Sequence, residues 1–74
     1  MKENIRKYIK DNFFDDNFKD SDSLQDNGIV DSTGFLEIIL YLEEEYKIDI
    51  KDDEMIPENL DSIDNIVRFL DGKV

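Results

Sequence analysis

The sequence predicts an all-α protein, a four-helix bundle with a short third helix and a long loop between the first two helices. Apolar residues recur every three or four positions in separate segments, as on the buried face of an amphipathic helix. No segment makes a convincing strand. A chain of 74 residues has room for one domain with a small core, and we assign all of 1–74 to it.

Residues 3–14 are predicted as the first helix. Ile5, Ile9 and Phe13 recur at four-residue spacing, and Tyr8 fills the same stripe.

Residues 15–31 are predicted as a long loop, because Asp, Asn, Ser and Gly dominate there. A loop of this length in a small domain is unusual, so its apolar residues should strap it to the core. These residues are Phe14 at its entrance and Phe18, Leu24, Ile29 and Val30 within it. Its aspartates do not match a calcium loop, because Gln25 stands where glycine is needed.

Residues 32–46 are predicted as the second helix. At about 100° per residue one face carries the core side chains Phe35, Ile38, Ile39, Leu42 and Tyr46. Leu36 and Leu40 lie on the far flank, beside Thr33, Glu37 and Glu44. Single exposed leucines are ordinary, but two spaced one turn apart and rimmed by acids favour a small contact patch for a partner.

Glu43, Glu44 and Glu45 crowd the C-terminal end of this helix, where the helix dipole disfavours carboxylates. A solvated charged face is the usual explanation of such a run. Functional surfaces also tolerate such an unfavourable placement.

Residues 47–61 are predicted as a connector with one short helical turn near Pro57, and with Ile50, Met55, Ile56 and Leu60 reaching the core.

Residues 62–71 are predicted as the last helix. Ser62 is its expected N-cap, Ile63, Ile66, Val67 and Leu70 form its apolar stripe, and Gly72 is its expected C-terminal cap.

The composition excludes several kinds of site. The chain has no cysteine and no histidine, so disulfides, thiolate metal sites and histidine-dependent catalysis are ruled out. The net charge of −11 makes direct contact with nucleic acid or an anionic membrane unfavourable and favours proteins with basic patches as partners. Without an apolar signal segment or cysteines, we expect a cytoplasmic protein.

An Asp-Ser pair precedes a helix twice, at Asp31-Ser32 and at Asp61-Ser62. On local chemistry both serines are interpreted as helix caps. Their surroundings differ, because Ser32 is followed by Gly34, which we expect to leave space around its hydroxyl, and by the Leu36 patch. If either serine carries a phosphate group, Ser32 is the better site, since a helix N-terminus favours an anion.

These residues carry a resemblance to a known family. The sequence Gly28-x-x-Asp31-Ser32, followed by Leu36-Glu37 and by Leu42-Glu43-Glu44-Glu45-Tyr46-x-Ile48-x-Ile50, resembles the acyl carrier proteins. The resemblance continues through Asp61-Ser62-Ile63 into the final apolar helix and so covers nearly the whole chain.

The resemblance implies the acyl carrier type of four-helix bundle, in a stand-alone protein that is not an enzyme. It implies that Ser32 carries 4′-phosphopantetheine, transferred from coenzyme A by a phosphopantetheinyl transferase, with Asp31 assisting. Acyl or aminoacyl cargo would be bound as a thioester to the thiol of the cofactor. Client enzymes, namely an acyl- or amino-acid-activating ligase and a downstream synthase or transferase, would recognise a monomer through Thr33, Leu36, Glu37, Leu40, Glu43 and Glu44.

The sequence departs from the family at Thr33, because the family usually has leucine directly after the serine. This replacement removes one apolar contact from the partner-binding surface. It slightly favours a carrier of specialised metabolism over one of bulk fatty-acid synthesis. An alternative from another class remains: a small acidic interaction or inhibitor protein in which Ser32 is only a helix cap. An enzyme with paired carboxylates has little support, since nothing in the sequence places two acids in a shielded pocket.

Overall fold

A computed structural model describes residues 1–15 and 17–73, and within them it shows four α-helices and no strand. The helices are α1 (Lys2–Phe13), α2 (Ser32–Tyr46), α3 (Pro57–Leu60) and α4 (Ile63–Lys73), and a 3-10 turn (Asp52–Glu54) precedes α3. The all-α prediction is confirmed, and α2 has its predicted bounds. The predictions for α1 and α4 differ from the structure by one or two residues at their ends.

The core is formed by the apolar faces of the helices, as the periodicity predicts. α4 packs against both α1 and α3. The most deeply buried side chains are Ile5, Ile9, Leu24, Ile38, Ile39, Leu42, Leu60, Ile63, Ile66 and Leu70. Tyr8, Phe13, Tyr46 and Val67, which the stripes also include, are only partly buried at the edge of this cluster.

The long loop is strapped to the core, as predicted, and Asp61 is the main fastening point. The Leu24 amide donates to the Asp61 carbonyl at 2.7 Å. The Asp61 carboxylate accepts hydrogen bonds from the Gln25 amide at 3.0 Å and from the Ser23 hydroxyl. Leu24, Ile29 and Val30 of this loop are buried in the core.

Two apolar residues that were predicted to reach the core do not. Phe14 is 89% exposed, because it terminates α1 in a left-handed conformation with φ of 59°. Ile56 is 40% exposed, because it has the extended backbone that a following proline favours, and Pro57 comes next. Backbone conformation therefore decides the direction of both side chains, whatever their hydrophobicity.

The predicted C-terminal cap at Gly72 is wrong, since Gly72 lies inside α4. The helix continues to Lys73, whose ammonium group lies 2.8 Å from a carboxylate oxygen of Glu54. This ion pair joins the last turn of α4 to the 3-10 turn.

None of the helices that the structure describes is long and apolar enough to cross a bilayer.

Candidate functional site

Ser32 is the first residue of α2, and Asp31 rather than Ser32 caps this helix. The Asp31 carboxylate accepts a hydrogen bond from the Gly34 amide at 2.7 Å, and its carbonyl accepts from the Phe35 amide at 2.8 Å. The interpretation of Ser32 as a cap is therefore wrong, because the preceding carboxylate already satisfies the amide that a serine cap would bind.

The Ser32 hydroxyl is consequently free for other chemistry. The residue is exposed, and within residues 1–15 and 17–73 its hydroxyl has no hydrogen-bond partner. It lies in the first turn of a 15-residue helix, where the helix dipole and unpaired amides favour a negative group.

Ser62 provides an internal comparison, since it also follows an aspartate. It is only 4% exposed, and its Oγ accepts a hydrogen bond from the Asn65 amide at 3.0 Å. Ser62 is thus the N-cap that the sequence predicts, with its hydroxyl already used. Ser32 is the first residue of its helix, whereas Ser62 is the residue before its helix. Of these two serines, only Ser32 is exposed to solvent.

Gly34 does not act as expected. It is buried, and a Cβ built on it would lie 2.7 Å from the Phe13 ring and 3.2 Å from Val30. Its small size therefore allows the end of α1 to approach the start of α2. The exposure of Ser32 comes from its position on the helix, not from space left by Gly34.

The outer face of α2 begins at Ser32 and has the composition predicted for it. Leu36 is 55% exposed and Leu40 is 64% exposed, on a helix whose opposite face is buried. Thr33, Glu37 and Glu44 are exposed around them. The structure therefore brings five of the six predicted partner-binding residues together on one exposed helical face.

Glu43, the sixth predicted residue, is only partly exposed and has a structural contact. Its carboxylate accepts a hydrogen bond from the Ile50 amide at 3.0 Å, and its carbonyl accepts from the amides of Lys47 and Ile48. This contact offsets the unfavourable position of an acid at a helix C-terminus, because the carboxylate fastens the chain that leaves α2. Glu44 and Glu45 are exposed.

A shallow groove of about 350 Å³ lies between the end of α1 and the start of α2, and Asp31 and Thr33, the two neighbours of Ser32, line it. Its walls are Phe13, Gly28, Ile29, Asp31, Thr33, Gly34 and Glu37. Phe13, Gly28 and Ile29 were not predicted as site residues, because Phe13 and Ile29 were predicted to contact the core and Gly28 lies in the predicted long loop. The close approach of Phe13 to Gly34 brings the end of α1 to the groove, and no local sequence pattern indicates that contact.

The chemistry that these residues can perform is limited. Within the described ranges, no three acidic side chains converge in a way that could hold a metal ion. No described side chain accepts a hydrogen bond from the Ser32 hydroxyl. The arrangement presents a hydroxyl next to an apolar, acid-rimmed surface.

No model of a known protein family matches this chain, and neither does any curated protein sequence.

Proposed function

We propose that this chain is a stand-alone acyl carrier protein that carries 4′-phosphopantetheine on Ser32. The observation that carries the proposal is the free, exposed hydroxyl of Ser32 at the start of α2, next to the exposed Leu36 and Leu40. A covalent attachment point must be reachable by a second enzyme, and the surface beside it must be recognisable. Ser32 meets the first need and the outer face of α2 meets the second.

In the proposed modification, Ser32 Oγ attacks the phosphorus that bears the pantetheine group of coenzyme A. A new P–O bond to serine forms, the bond to the departing adenosine 3′,5′-bisphosphate breaks, and a base of the transferase takes the hydroxyl proton. The product is a phosphodiester at the N-terminus of α2, where the dipole stabilises its charge. Asp31 is proposed to orient the serine or to help the transferase hold its metal ion.

The cofactor supplies the thiol that binds the cargo as a thioester, which accords with a chain that has no cysteine. The protein's own part is presentation. Leu36 and Leu40 offer apolar contact, and Glu37 and Glu44 attract enzymes with basic surfaces. The proposed partners are the phosphopantetheinyl transferase, an acyl- or amino-acid-activating ligase, and a downstream synthase or transferase. We propose that the carrier meets them in the cytoplasm as a monomer.

The test is the intact mass after incubation with coenzyme A, magnesium and a promiscuous transferase. The wild-type chain should gain the mass of one phosphopantetheine, and Ser32→Ala should gain none. Ser62→Ala is the matched control, since it alters the other Asp-Ser pair and should still be modified. Equal modification of the wild type and of Ser32→Ala would rule out Ser32 as the site.

The net charge of −11 favours a second candidate, a small acidic protein that binds and inhibits a basic one. In that case, binding to the basic partner should be strongly dependent on salt and unaffected by Ser32→Ala. The same variant therefore separates the two candidates.

A further inference from the structure

Asn27 is followed by Gly28 in the long loop, and both residues are exposed. An asparagine before glycine is chemically labile, because glycine has no side chain to hinder its amide nitrogen and adopts the backbone conformations that ring closure needs. The other asparagines of the chain precede large apolar residues, namely Ile5, Phe13, Phe18, Leu60 and Ile66. Asn27 is therefore the asparagine of this sequence most open to attack by its own backbone.

The reaction at such a pair is spontaneous deamidation. The Gly28 backbone nitrogen gives its proton to solvent and bonds to Cγ of Asn27, whose amino group takes up a proton and leaves as ammonia. Water then opens the resulting cyclic imide at either of its two carbonyls. The product is aspartate or isoaspartate, and in isoaspartate the backbone runs through the former side chain and is one carbon longer.

In the folded loop both reacting groups are engaged elsewhere. The Gly28 amide donates a hydrogen bond to the Gln25 carbonyl at 3.1 Å. The side-chain and backbone amides of Asn27 both donate to the Ser23 carbonyl, at 2.7 Å and 3.1 Å. Because the nitrogen and the group that it must attack are each held by a different carbonyl, the reaction requires this turn to open.

Ser23 connects the turn to the rest of the fold. Its hydroxyl donates to the Asp61 carboxylate and accepts a hydrogen bond from the Asp26 amide at 3.1 Å. Its carbonyl is the one that accepts both hydrogen bonds from Asn27. The residue that holds Asn27 is thus anchored to a position 38 residues away in the sequence.

We propose that Asn27 is a deamidation site, and that the contact between Ser23 and Asp61 delays the reaction by keeping the turn closed. The isoaspartate product lengthens the backbone just before Gly28, where the chain turns with a φ of 72°. The next amide, that of Ile29, donates to the Leu24 carbonyl at 2.9 Å. A longer backbone disturbs this closure and shifts the segment that leads to Ser32.

The test follows the intact mass of the full-length, unmodified chain at neutral pH, with peptide mapping to locate the new acid and to separate its two forms. In guanidinium chloride the wild type should deamidate at Asn27 before its other asparagines. In the native state the same reaction should be at least about tenfold slower, since only the open turn reacts. Equal rates in the two states, or no acid at position 27 in the unfolded chain, would overturn the proposal.

Two serine variants test the anchor. Ser23→Ala should raise the native rate about fivefold, the size expected for one lost hydrogen bond. Ser21→Ala makes the same substitution at an exposed position of the same loop and should leave the rate unchanged. Equal rates in the two variants would overturn the role of Ser23.

Hydrogen exchange separates local opening from unfolding of the whole chain. In Ser23→Ala the amides of Asn27 and Gly28 should exchange faster, and those in the middle of α2 should exchange as in the wild type. Equally faster exchange throughout the chain would show that the contact stabilises the whole fold, and would overturn the local closure proposed here.

The consequence for Ser32 rests on the proposed function and is measured separately. The purified isoaspartate form should be phosphopantetheinylated several-fold more slowly than the wild type, whereas Asn27→Asp, which keeps the normal backbone, should be modified normally. Equal modification of all three would overturn the shift of the segment before Ser32. If the transferase modifies none of them, including the wild type, the proposed function fails, and the deamidation rates stand on their own.

Discussion

Tyr8 of α1 and Tyr41 of α2 join the two helices through reciprocal contacts. Tyr8 donates its hydroxyl hydrogen to the carbonyl of Glu37, the residue four positions before Tyr41, at 3.2 Å. Tyr41 donates to the carbonyl of Asn4, the residue four positions before Tyr8, at 3.4 Å. The two tyrosine rings stack between these hydrogen bonds. Together, the stack and the two hydrogen bonds hold α1 and α2 at a fixed separation and in a fixed relative register.

A double-mutant cycle should show this coupling. We expect Tyr8→Leu and Tyr41→Leu to be non-additive, with an interaction energy of about 0.5–1.5 kcal/mol from the aromatic pair. The measurement is the free energy of unfolding in urea for the wild type, both single variants and the double variant.

The phenylalanine variants separate the stack from the hydrogen bonds. Tyr8→Phe and Tyr41→Phe keep the rings, and each should cost only about 0.5 kcal/mol, because both bonds are long. Additive leucine variants would show that the rings lie together without stabilising each other.

Gly34 and Gly72 should respond in opposite directions to the same substitution. A Cβ at Gly34 would lie 2.7 Å from the Phe13 ring, whereas one at Gly72 would meet nothing within 4 Å. Gly34→Ala should therefore destabilise the protein by about 1 kcal/mol, even after the gain in helix propensity. Gly72→Ala should stabilise it by up to about 0.5 kcal/mol, and urea unfolding measures both.

A smaller residue at position 13 tests whether contact with the Phe13 ring causes the destabilisation by Gly34→Ala. In the Phe13→Leu background Gly34→Ala should cost less, because the ring that it meets is gone. An equal cost in both backgrounds would point to Val30, 3.2 Å from the same Cβ, as the contact that matters.

The sequence predicts those parts of the fold that depend on residues close together in the chain, but not those that depend on contacts between distant residues. The spacing of apolar residues predicts the bounds of α2. The helical rotation of about 100° per residue also predicts that Leu36 and Leu40 are exposed. The end of α4 differs from the prediction, and its last residue, Lys73, pairs with Glu54, a contact between residues 19 positions apart that periodicity does not indicate.

The candidate site shows the same division. Sequence reasoning identifies Ser32 and its acidic neighbour, but it cannot decide which of Asp31 and Ser32 caps α2, since both side chains are good caps. A shift of one residue in the helix start decides whether the hydroxyl is used or free. The stacked Tyr8–Tyr41 pair has no sequence signal, because the last part of α1, the long loop and more than half of α2 separate the two residues.

Salt should stabilise the protein. The chain has 20 acidic and 9 basic side chains, so we expect repulsion among carboxylates to exceed the attraction in its ion pairs. Lys2–Asp64 and Arg6–Asp20 are partly exposed, so salt weakens them as well, but such pairs contribute little. We expect the Tm to rise by several degrees between about 10 mM and about 0.5 M NaCl, and divalent cations to act similarly.

A charge reversal on an exposed acid checks the origin of this effect. Glu58→Lys should raise the Tm at low salt and reduce its dependence on salt. A Tm that is independent of salt in the wild type would show that the acids are compensated within the fold.

Alkaline pH should destabilise the fold through its tyrosines. Burial is the main cause that raises the pKa of Tyr8, Tyr41 and Tyr46, with added repulsion from Glu37 on Tyr8 and from Glu45 on Tyr46. A pKa that is higher in the folded chain contributes stability below the ordinary tyrosine value near 10, and this stability is lost as the pH rises through the folded values.

Ultraviolet absorbance of phenolate measures this directly, because these are the only three tyrosines and the chain has no tryptophan. The native protein should titrate at higher pH than the urea-unfolded chain, with unfolding at the end of the titration. Coincident curves would contradict burial of the rings.

Asp31 combines two roles that one pair of substitutions can separate. Its carboxylate caps α2 through the Gly34 amide at 2.7 Å, and the proposed function also gives its charge a part in modifying Ser32. Asparagine caps helices about as well as aspartate, so Asp31→Asn should leave the free energy of unfolding nearly unchanged, while Asp31→Ala should lower it by about 1 kcal/mol. If the charge assists the transferase, both variants should slow the modification about tenfold, the size expected for losing one charge-assisted contact. Normal modification of Asp31→Asn, with slow modification of Asp31→Ala, would instead show that Asp31 serves Ser32 only by holding the first turn of the helix in place.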